Sequence, residues 1–350
     1  MRLLLITNDY PPKAGGIQQY LGHLVDTWPD ATHVVAPADP SAQPDEHVSR
    51  SDSSFMWPTS GLGDRVLEVA RGFEPEVVLF GAPHPLPVLG PRLRSELGVP
   101  YGVLAHGAEV TIPGAAPGVR QAIGRILRDA DVRFAVSEFT AERVQRLTGR
   151  PVVWVGAGVD IDVYRPPPDG GHAAPVIGCV SRFVPRKGQH RLLDAVARLD
   201  RPAEVLLVGK GRKEDRLRRQ AARLDVATRF VIDPSWDALP DLYRSMDVFC
   251  MPCSSRWGGA EVEGLGLVFL EASSTGLPVL AGDSGGSSET VVPGETGYIV
   301  RSVDDIVEGL TILLDDRDRA TAIGEAGRRF VEEGFTWDKV AERFERGFDG

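Results

Sequence analysis

Residues 176–188, Val176-Ile177-Gly178-Cys179-Val180-Ser181-Arg182-Phe183-Val184-Pro185-Arg186-Lys187-Gly188, pass from an unbroken apolar run into a basic loop, and a helix follows near His190. An apolar run this short, without polar alternation, reads as a strand buried on both faces, as in a parallel sheet. Outward from it the cycle recurs, with residues 204–208, 229–232, 248–251, 278–281 and 297–300 as further strands. Upstream, residues 3–6, 33–36, 77–80, 101–105, 134–136 and 152–155 form an earlier set. Short strands alternating with amphipathic helices imply an α/β fold with helical crossovers. Between the two sets, Tyr164-Arg165-Pro166-Pro167-Pro168-Asp169-Gly170-Gly171 has the proline and glycine content of a linker. Two domains are therefore expected, residues 1–162 and 163–335. Trp337, Val340, Phe344 and Phe348 fall at helical spacing. A last amphipathic helix over 336–350 is expected to pack back on the first domain.

The 350 residues are enough for two cores, and 42% hydrophobic with 25% charged residues is ordinary for a globular chain. A formal net charge of -10 argues against coating nucleic acid, which needs a surplus of Lys and Arg. Cys179, Cys250 and Cys253 are too few and too unevenly placed for a disulfide framework, so a reducing, cytoplasmic setting is expected. The opening MRLLLIT is too short an apolar run for a signal segment or a membrane span.

In parallel sheets ligands bind beyond the carboxyl ends of strands, so the loops there carry the candidate residues. Gly15 and Gly16 would let a phosphate or sugar approach the amides at a helix start; a plain strand-to-helix turn is the alternative. Arg182 and Lys187 share one loop, a fork donor and a point charge suited to a diphosphate, against a solvated basic turn. In Glu261-Val262-Glu263-Gly264-Leu265-Gly266-Leu267-Val268-Phe269-Leu270-Glu271-Ala272, the glycines suit a tight turn opening a helix, which frees the amides of Leu267 and Val268 to donate to an anion. Were Glu263 and Glu271 on one helix, they would be about 12 Å apart in rise, too far for the roughly 5–9.5 Å of glycoside hydrolysis. Hydroxyl binding suits them better. Taken alone, Glu271 would be an exposed helix carboxylate.

Glutamates bracketing GLGLVFL resemble the E-x7-E signature of retaining glycosyltransferase family 4. With NDYPPKAGGIQQY, AHGAEV, SRFVPRKGQ, DVFCMPC and SGGSSETV in order along nearly the whole chain, the sequence is similar to actinobacterial GDP-mannose-dependent phosphatidylinositol monomannoside mannosyltransferases. The resemblance implies a GT-B fold, two Rossmann-like domains facing across a cleft, the first taking the acceptor and the second the nucleotide sugar. It implies Gly16 against the donor phosphate, Arg182 and Lys187 on the diphosphate and Glu271 on the ribose hydroxyls. Glu263 would hold hexose hydroxyls beside the amides of Gly264, Leu265 and Gly266; His106 would contact the transferred sugar, and Pro234 the guanine base. Ile232-Asp233-Pro234 and Gly209-Lys210-Gly211 depart from the family's usual Gly-Gly-Val and glycine run, and the first half is shortened between Ala36 and Val77.

No cofactor and no metal are expected, the donor being GDP-mannose. Cys250-Met251-Pro252-Cys253 has redox spacing without a second pair to complete a zinc site. Asp160-Ile161-Asp162 mimics an acidic metal motif, yet precedes the linker. No nucleophile-elbow context supports acyl transfer. A glycolipid acceptor would bring the chain to the cytoplasmic face of the membrane as a peripheral protein. The expected docking element is residues 118–133, with Val119, Ile123, Ile126 and Leu127 in a stripe beside Arg120, Arg125 and Arg128, and Arg92 and Arg94 nearby. Another nucleotide sugar, a soluble acceptor, an epimerase of the same architecture and a binding module without turnover are the alternatives.

Overall fold

A computed structural model describes residues 1–13, 15–107, 117–167 and 174–350. Ala14, the last three residues of the AHGAEV segment (108–110) and the Pro168–Gly171 end of the expected linker lie outside the described residues. The chain divides into two compact units, Met1–Gly158 with Trp337–Gly350, and Val159–Thr336.

Unit 1 carries a sheet of β1 (Leu3–Ile6), β2 (Thr32–Ala36), β3 (Val48–Arg50), β4 (Val77–Phe80), β5 (Tyr101–Ala105), β6 (Val132–Ala135) and β7 (Val153–Trp154), in spatial order β3-β2-β1-β4-β5-β6-β7. All of its pairings are parallel. Strands β1, β4 and β5 are buried throughout, which is why they read as unbroken apolar runs. The short β3 was not expected from the sequence: Val48-Ser49-Arg50 has no apolar run, and it is a strand because it lies in parallel register on Val34-Val35-Ala36 at the sheet's edge.

Helices cross between these strands with legible ends. Ser60–Phe73 starts on Thr59, whose hydroxyl accepts from the Leu62 amide, and Glu138–Thr148 runs from the same kind of cap at Ser137 to a left-handed Gly149. The helix Trp337–Asp349 closes the sheet's open face. Phe344 is fully buried, its ring 4.6 Å from Phe134 and 6.3 Å from Trp28, while Trp337 stacks on His23 at 5.2 Å. Truncating a buried phenylalanine such as Phe344 to alanine costs about 3–5 kcal/mol.

The expected docking element is corrected in three respects. Its helix is Pro117–Asp129, and Val132 and Arg133 belong to β6, where the Arg133 guanidinium is spent on the carbonyls of Ala130, Asp131 and Pro151. Ile123 and Leu127 are buried in the unit's own core, so half of the apolar stripe covers its own sheet; Ile126 is half-buried and Val119 exposed. Arg92 pairs with Asp64 and Glu96, and Arg94 with Asp131, which cancels their share of the basic excess. Arg120, Arg125 and Arg128 remain exposed.

Unit 2 has β8 (Val176–Val180), β9 (Glu204–Val208), β10 (Thr228–Val231), β11 (Val248–Met251), β12 (Val279–Gly282) and β13 (Gly297–Val300), again all parallel, in the order β10-β9-β8-β11-β12-β13. Its core includes Phe183, Tyr243, Phe249 and Phe269, and all three cysteines are free and buried in it. Tyr164, read from sequence as linker, packs against this core, and its carbonyl is held by Arg328, whose guanidinium also reaches the carbonyls of Ile161 and Ser274 at 2.7–2.9 Å. Three carbonyls converging on one cation distant in sequence is a long-range interaction that proline and glycine content cannot reveal. Among the described residues no helix is long and apolar enough to cross a membrane.

Candidate active site

The candidate residues fall into one set on each unit. In unit 2 the strand order reverses direction between neighbouring β8 and β11: the chain leaves β8 toward β9 and leaves β11 toward β12. Loops following two such strands diverge and leave a crevice at the sheet's carboxyl edge. Both loops bring charge there.

The loop after β8 is held from below by Gln189, whose amide donates to the Ser181 hydroxyl at 2.8 Å and the Arg182 carbonyl at 3.0 Å. A short 3-10 turn, Pro185–Lys187, then ends at Gly188. Arg182 is exposed and Lys187 is buried, only 7% accessible. From the loop after β11 comes Glu263. Its carboxylate lies 2.6 Å from the Lys187 ammonium and is hydrogen-bonded by the Arg186 guanidinium. Arg186 in turn faces Glu261 at 4.0 Å, and Glu261 pairs with Arg256 at 3.0 Å. Burial alone would push the Glu263 carboxyl up; the charges of Lys187 and then Arg186 overcome it and hold it down at about 2. It is a permanent anion, able only to accept hydrogen bonds.

The backbone fixes Glu263 as firmly. Its amide donates to the Ser284 hydroxyl at 3.2 Å and its carbonyl accepts from Gly286 at 3.1 Å. Gly285 sits at φ 62 with the Glu263 carbonyl 2.0 Å from where a Cβ would stand, so only glycine fits there. The SGGSSETV segment therefore serves as the shelf beneath Glu263.

After Gly264, Leu265 and the left-handed Gly266, the helix Leu267–Ser274 begins with no side-chain cap, leaving the amides of Leu267 and Val268 without intrahelical acceptors. The helix starts only at Leu267, so a helical rise between Glu263 and Glu271 does not describe their separation. Nor is Glu271 an exposed helix carboxylate: it is 5% accessible and accepts from the Tyr243 hydroxyl at 2.6 Å. Burial raises its carboxyl to about 7, with the hydroxyls of Tyr243 and Tyr164 pulling partly against that rise. Sequence reading missed Arg186, Tyr164 and Tyr243. Arg186 had a signal, a second cation beside Lys187; the tyrosines had none.

At the carboxyl end of β10, Pro234 follows Asp233, which takes a left-handed φ of 50 and pairs with Lys210 at 2.7 Å. The two departures from the family pattern thus meet in a single ion pair. A cavity of about 250 Å³ in this unit is lined by Val184, Pro185, His190, Lys213, Arg216 and Arg256 among others, and not by Glu263 or Glu271.

In unit 1, Gly16 opens the helix Gly16–Thr27 after β1, and a Cβ on it would meet nothing within 4 Å among the described residues. Asn8 is locked to the Met56 backbone by both its amide atoms, at 2.7 and 3.1 Å, which steadies the start of the same loop. His106, just past β5, has Nε2 3.0 Å from the Gly81 carbonyl at the end of β4 and its ring edge-on to Tyr20 at 5.4 Å. Among the described residues no group of three or more His, Cys, Asp or Glu is placed to hold a metal ion. Asp160 accepts from the amides of Asp162 and Val163 at 3.0 and 3.1 Å, a local turn.

Residues 14–163 match glycosyltransferase family 4 and residues 162–330 match the glycosyl transferases group 1. The chain is 39% identical to the GDP-mannose-dependent alpha-(1-6)-phosphatidylinositol monomannoside mannosyltransferase of Mycobacterium tuberculosis, over 99% of both chains. It is 35% identical to the GDP-mannose-dependent monoacylated alpha-(1-6)-phosphatidylinositol monomannoside mannosyltransferase of Corynebacterium glutamicum, over 98% of this chain and 96% of that one. In three dimensions it is similar to Anabaena Alr3699/HepE in complex with UDP and glucose, with a TM-score of 0.80, 21% identity and coverage of 100% and 99%.

Proposed function

The chain belongs to the GT-B glycosyltransferases of family 4, and on that premise we propose that it transfers mannose from GDP-mannose, with retention, to a hydroxyl of a phosphatidylinositol mannoside-type glycolipid. The observation that carries this reading is the pairing of Lys187 with buried Glu263 at the switch point of unit 2, in a chain similar over its whole length to mannosyltransferases of that specificity.

In this reading unit 1 takes the acceptor and unit 2 the donor. The acceptor oxygen bonds to the anomeric carbon on the face from which GDP departs. The bond from that carbon to the phosphate oxygen breaks, and the acceptor's proton passes to the departing diphosphate. Arg182, Lys187 and the amides of Leu267 and Val268 face the charge that grows on the diphosphate, where fixed donors lower a barrier most. The two cations take the place of a metal ion. Glu263, with the amides of Gly264, Leu265 and Gly266, accepts from and donates to hexose hydroxyls; Glu271 takes the ribose; Gly16 admits the phosphate; His106 meets the sugar; Pro234 abuts the base. The exposed Arg120, Arg125 and Arg128 hold the protein, as a peripheral enzyme, to the anionic cytoplasmic face of the membrane, each contributing about 1 kcal/mol.

The test is transfer of label from several nucleotide sugars to a lipid extract, with and without EDTA. GDP-mannose alone should label lipid, undiminished by EDTA. Label in water-soluble product, or from another nucleotide sugar, would overturn acceptor or donor; loss in EDTA, rescued by magnesium, would overturn metal independence. Anionic vesicles should bind the protein at low salt and lose most of it when the three arginines become glutamine.

A further inference from the structure

Glu263 has two cations where one would neutralise it, and they differ in kind. Lys187 is a single flexible point charge 2.6 Å from the carboxylate. Arg186 is a planar fork that bonds Glu263 and reaches Glu261 at 4.0 Å, while Glu261 is anchored by Arg256 at 3.0 Å. The Arg186 side chain is 12% accessible, walled in between two carboxylates. A guanidinium between two carboxylates is held where it is; an ammonium with one partner can be drawn to another.

This inference rests on the reading that Lys187 serves the diphosphate and Glu263 the hexose. A diphosphate entering the crevice competes with Glu263 for Lys187. Were Lys187 the only partner, the buried carboxylate would then be left uncompensated and would take up a proton, losing half its capacity to accept from sugar hydroxyls. We propose that Arg186 is a positioning residue that keeps Glu263 anionic and oriented when the donor draws Lys187 away, so that one buried carboxylate can release its lysine to the diphosphate and still grip the hexose. Glu261 and Arg256 hold Arg186 to that task.

The groups facing Glu263 are few. Arg186 and Lys187 come from the 3-10 turn, Glu261 from its own loop through Arg186, and Cys253 from the start of the loop after β11. The Cys253 thiol is pushed up to about 12, by burial and then by Glu263 itself, and stays neutral throughout the working range. The loop after β12 offers only the Ser284 hydroxyl and backbone.

Arg186→Gln and Arg186→Lys are compared with wild type for kcat and KM against pH, with folding checked by circular dichroism. Arg186→Gln should lower kcat at saturating GDP-mannose by about 10- to 100-fold, a range typical for loss of a group that orients a ligating residue. Its acid limb should move up by about one pH unit or more, as expected when a carboxylate loses one of two cationic partners. Arg186→Lys should restore most of both. Separately, carbon NMR of the nucleotide-free protein should show the Glu263 carboxyl titrating higher in Arg186→Gln than in wild type. An unmoved acid limb, an unmoved NMR titration, or activity lost only in proportion to unfolded protein would overturn the proposal. Should Arg186→Gln not fold, Glu261→Gln decides: with Arg186 no longer held between two carboxylates, kcat at saturating GDP-mannose should fall while KM changes little, and a wild-type kcat would sink the idea. A wild type that transfers no sugar at all would instead overturn the proposed function, and the NMR titration would still judge Arg186.

Discussion

Glu263 and Glu271 are close in sequence, similarly buried at 8% and 5% accessibility, and opposite in charge behaviour. One is held down at about 2 and the other raised to about 7. Depth therefore does not decide the state of a buried carboxylate here; its partners do. Glu263 has two cations, and Glu271 has two tyrosine hydroxyls, which donate hydrogen bonds but supply no charge. The first is a fixed acceptor. The second changes protonation in the physiological range, so a ligand hydroxyl that needs an anionic acceptor at Glu271 should bind better as pH rises through about 7.

The sharpest way to break this contrast is Glu263→Gln, which leaves Lys187 buried without its anion and Arg186 with Glu261 alone. Loss of one partner of a buried ion pair costs about 3–5 kcal/mol, to be read from urea denaturation, and label transfer should fall by at least the roughly 10²–10³ of a lost transition-state donor. Near wild-type stability and rate would mean that the cluster is surface decoration. Next, Lys187→Ala and Arg182→Ala should each lower turnover by about 10²–10³. They should part on stability, since Lys187 is buried against Glu263 and Arg182 is exposed; equal stability losses would contradict the structure. On the other side, Glu271→Gln should weaken GDP binding by about 10- to 100-fold, the worth of a hydrogen bond to a charged group, with little change in turnover at saturating donor. A large fall in turnover with unchanged affinity would remove Glu271 from the ribose.

The smallest effects are in stability against pH, and their signs are opposite. Glu263 is depressed from an ordinary value near 4.5, so the stability it lends over Glu263→Gln is present above that pH and lost as pH falls toward about 2. Glu271 is raised from the same value, so its contribution relative to Glu271→Gln is full below 4.5 and lost as pH rises through about 7. Each swing is at most on the order of 3 kcal/mol. Parallel slopes for the two variants would show that the glutamates share one environment.

How much of this was legible differs by residue. The buried strands were plain because parallel sheets need unbroken apolar runs: residues 3–6, 77–80, 101–105, 176–180 and 248–251 lie where the sequence puts them. Strand β3 was invisible because its pairing with β2, not its composition, makes it a strand. At the site, Arg182, Lys187, Glu263 and Glu271 could be singled out because loops at strand ends and glycines before a helix are local signals. Their environments could not. The partners of Glu263 lie 77 residues away at Arg186, and Tyr243 lies 28 residues from Glu271. Separations of that kind leave no periodicity, so an exposed Glu271 was the natural reading and a buried one the fact.

The helix Trp337–Asp349 completes unit 1 only after the whole of unit 2 has been traversed, and this sets an order of events on the ribosome. Unit 2 is one continuous segment, Val159–Thr336, and can fold as soon as it emerges. Unit 1 is made first yet must wait for its last helix, holding the Phe134 and Trp28 face uncovered in the meantime. At about 5–20 residues per second the delay is roughly ten to thirty-five seconds, a long exposure for an aromatic surface. During it unit 1 is a natural client for a chaperone. A stand-alone unit 1 would need residues 337–350 joined directly after Gly158, since a chain cut at the boundary would leave that face uncovered for good.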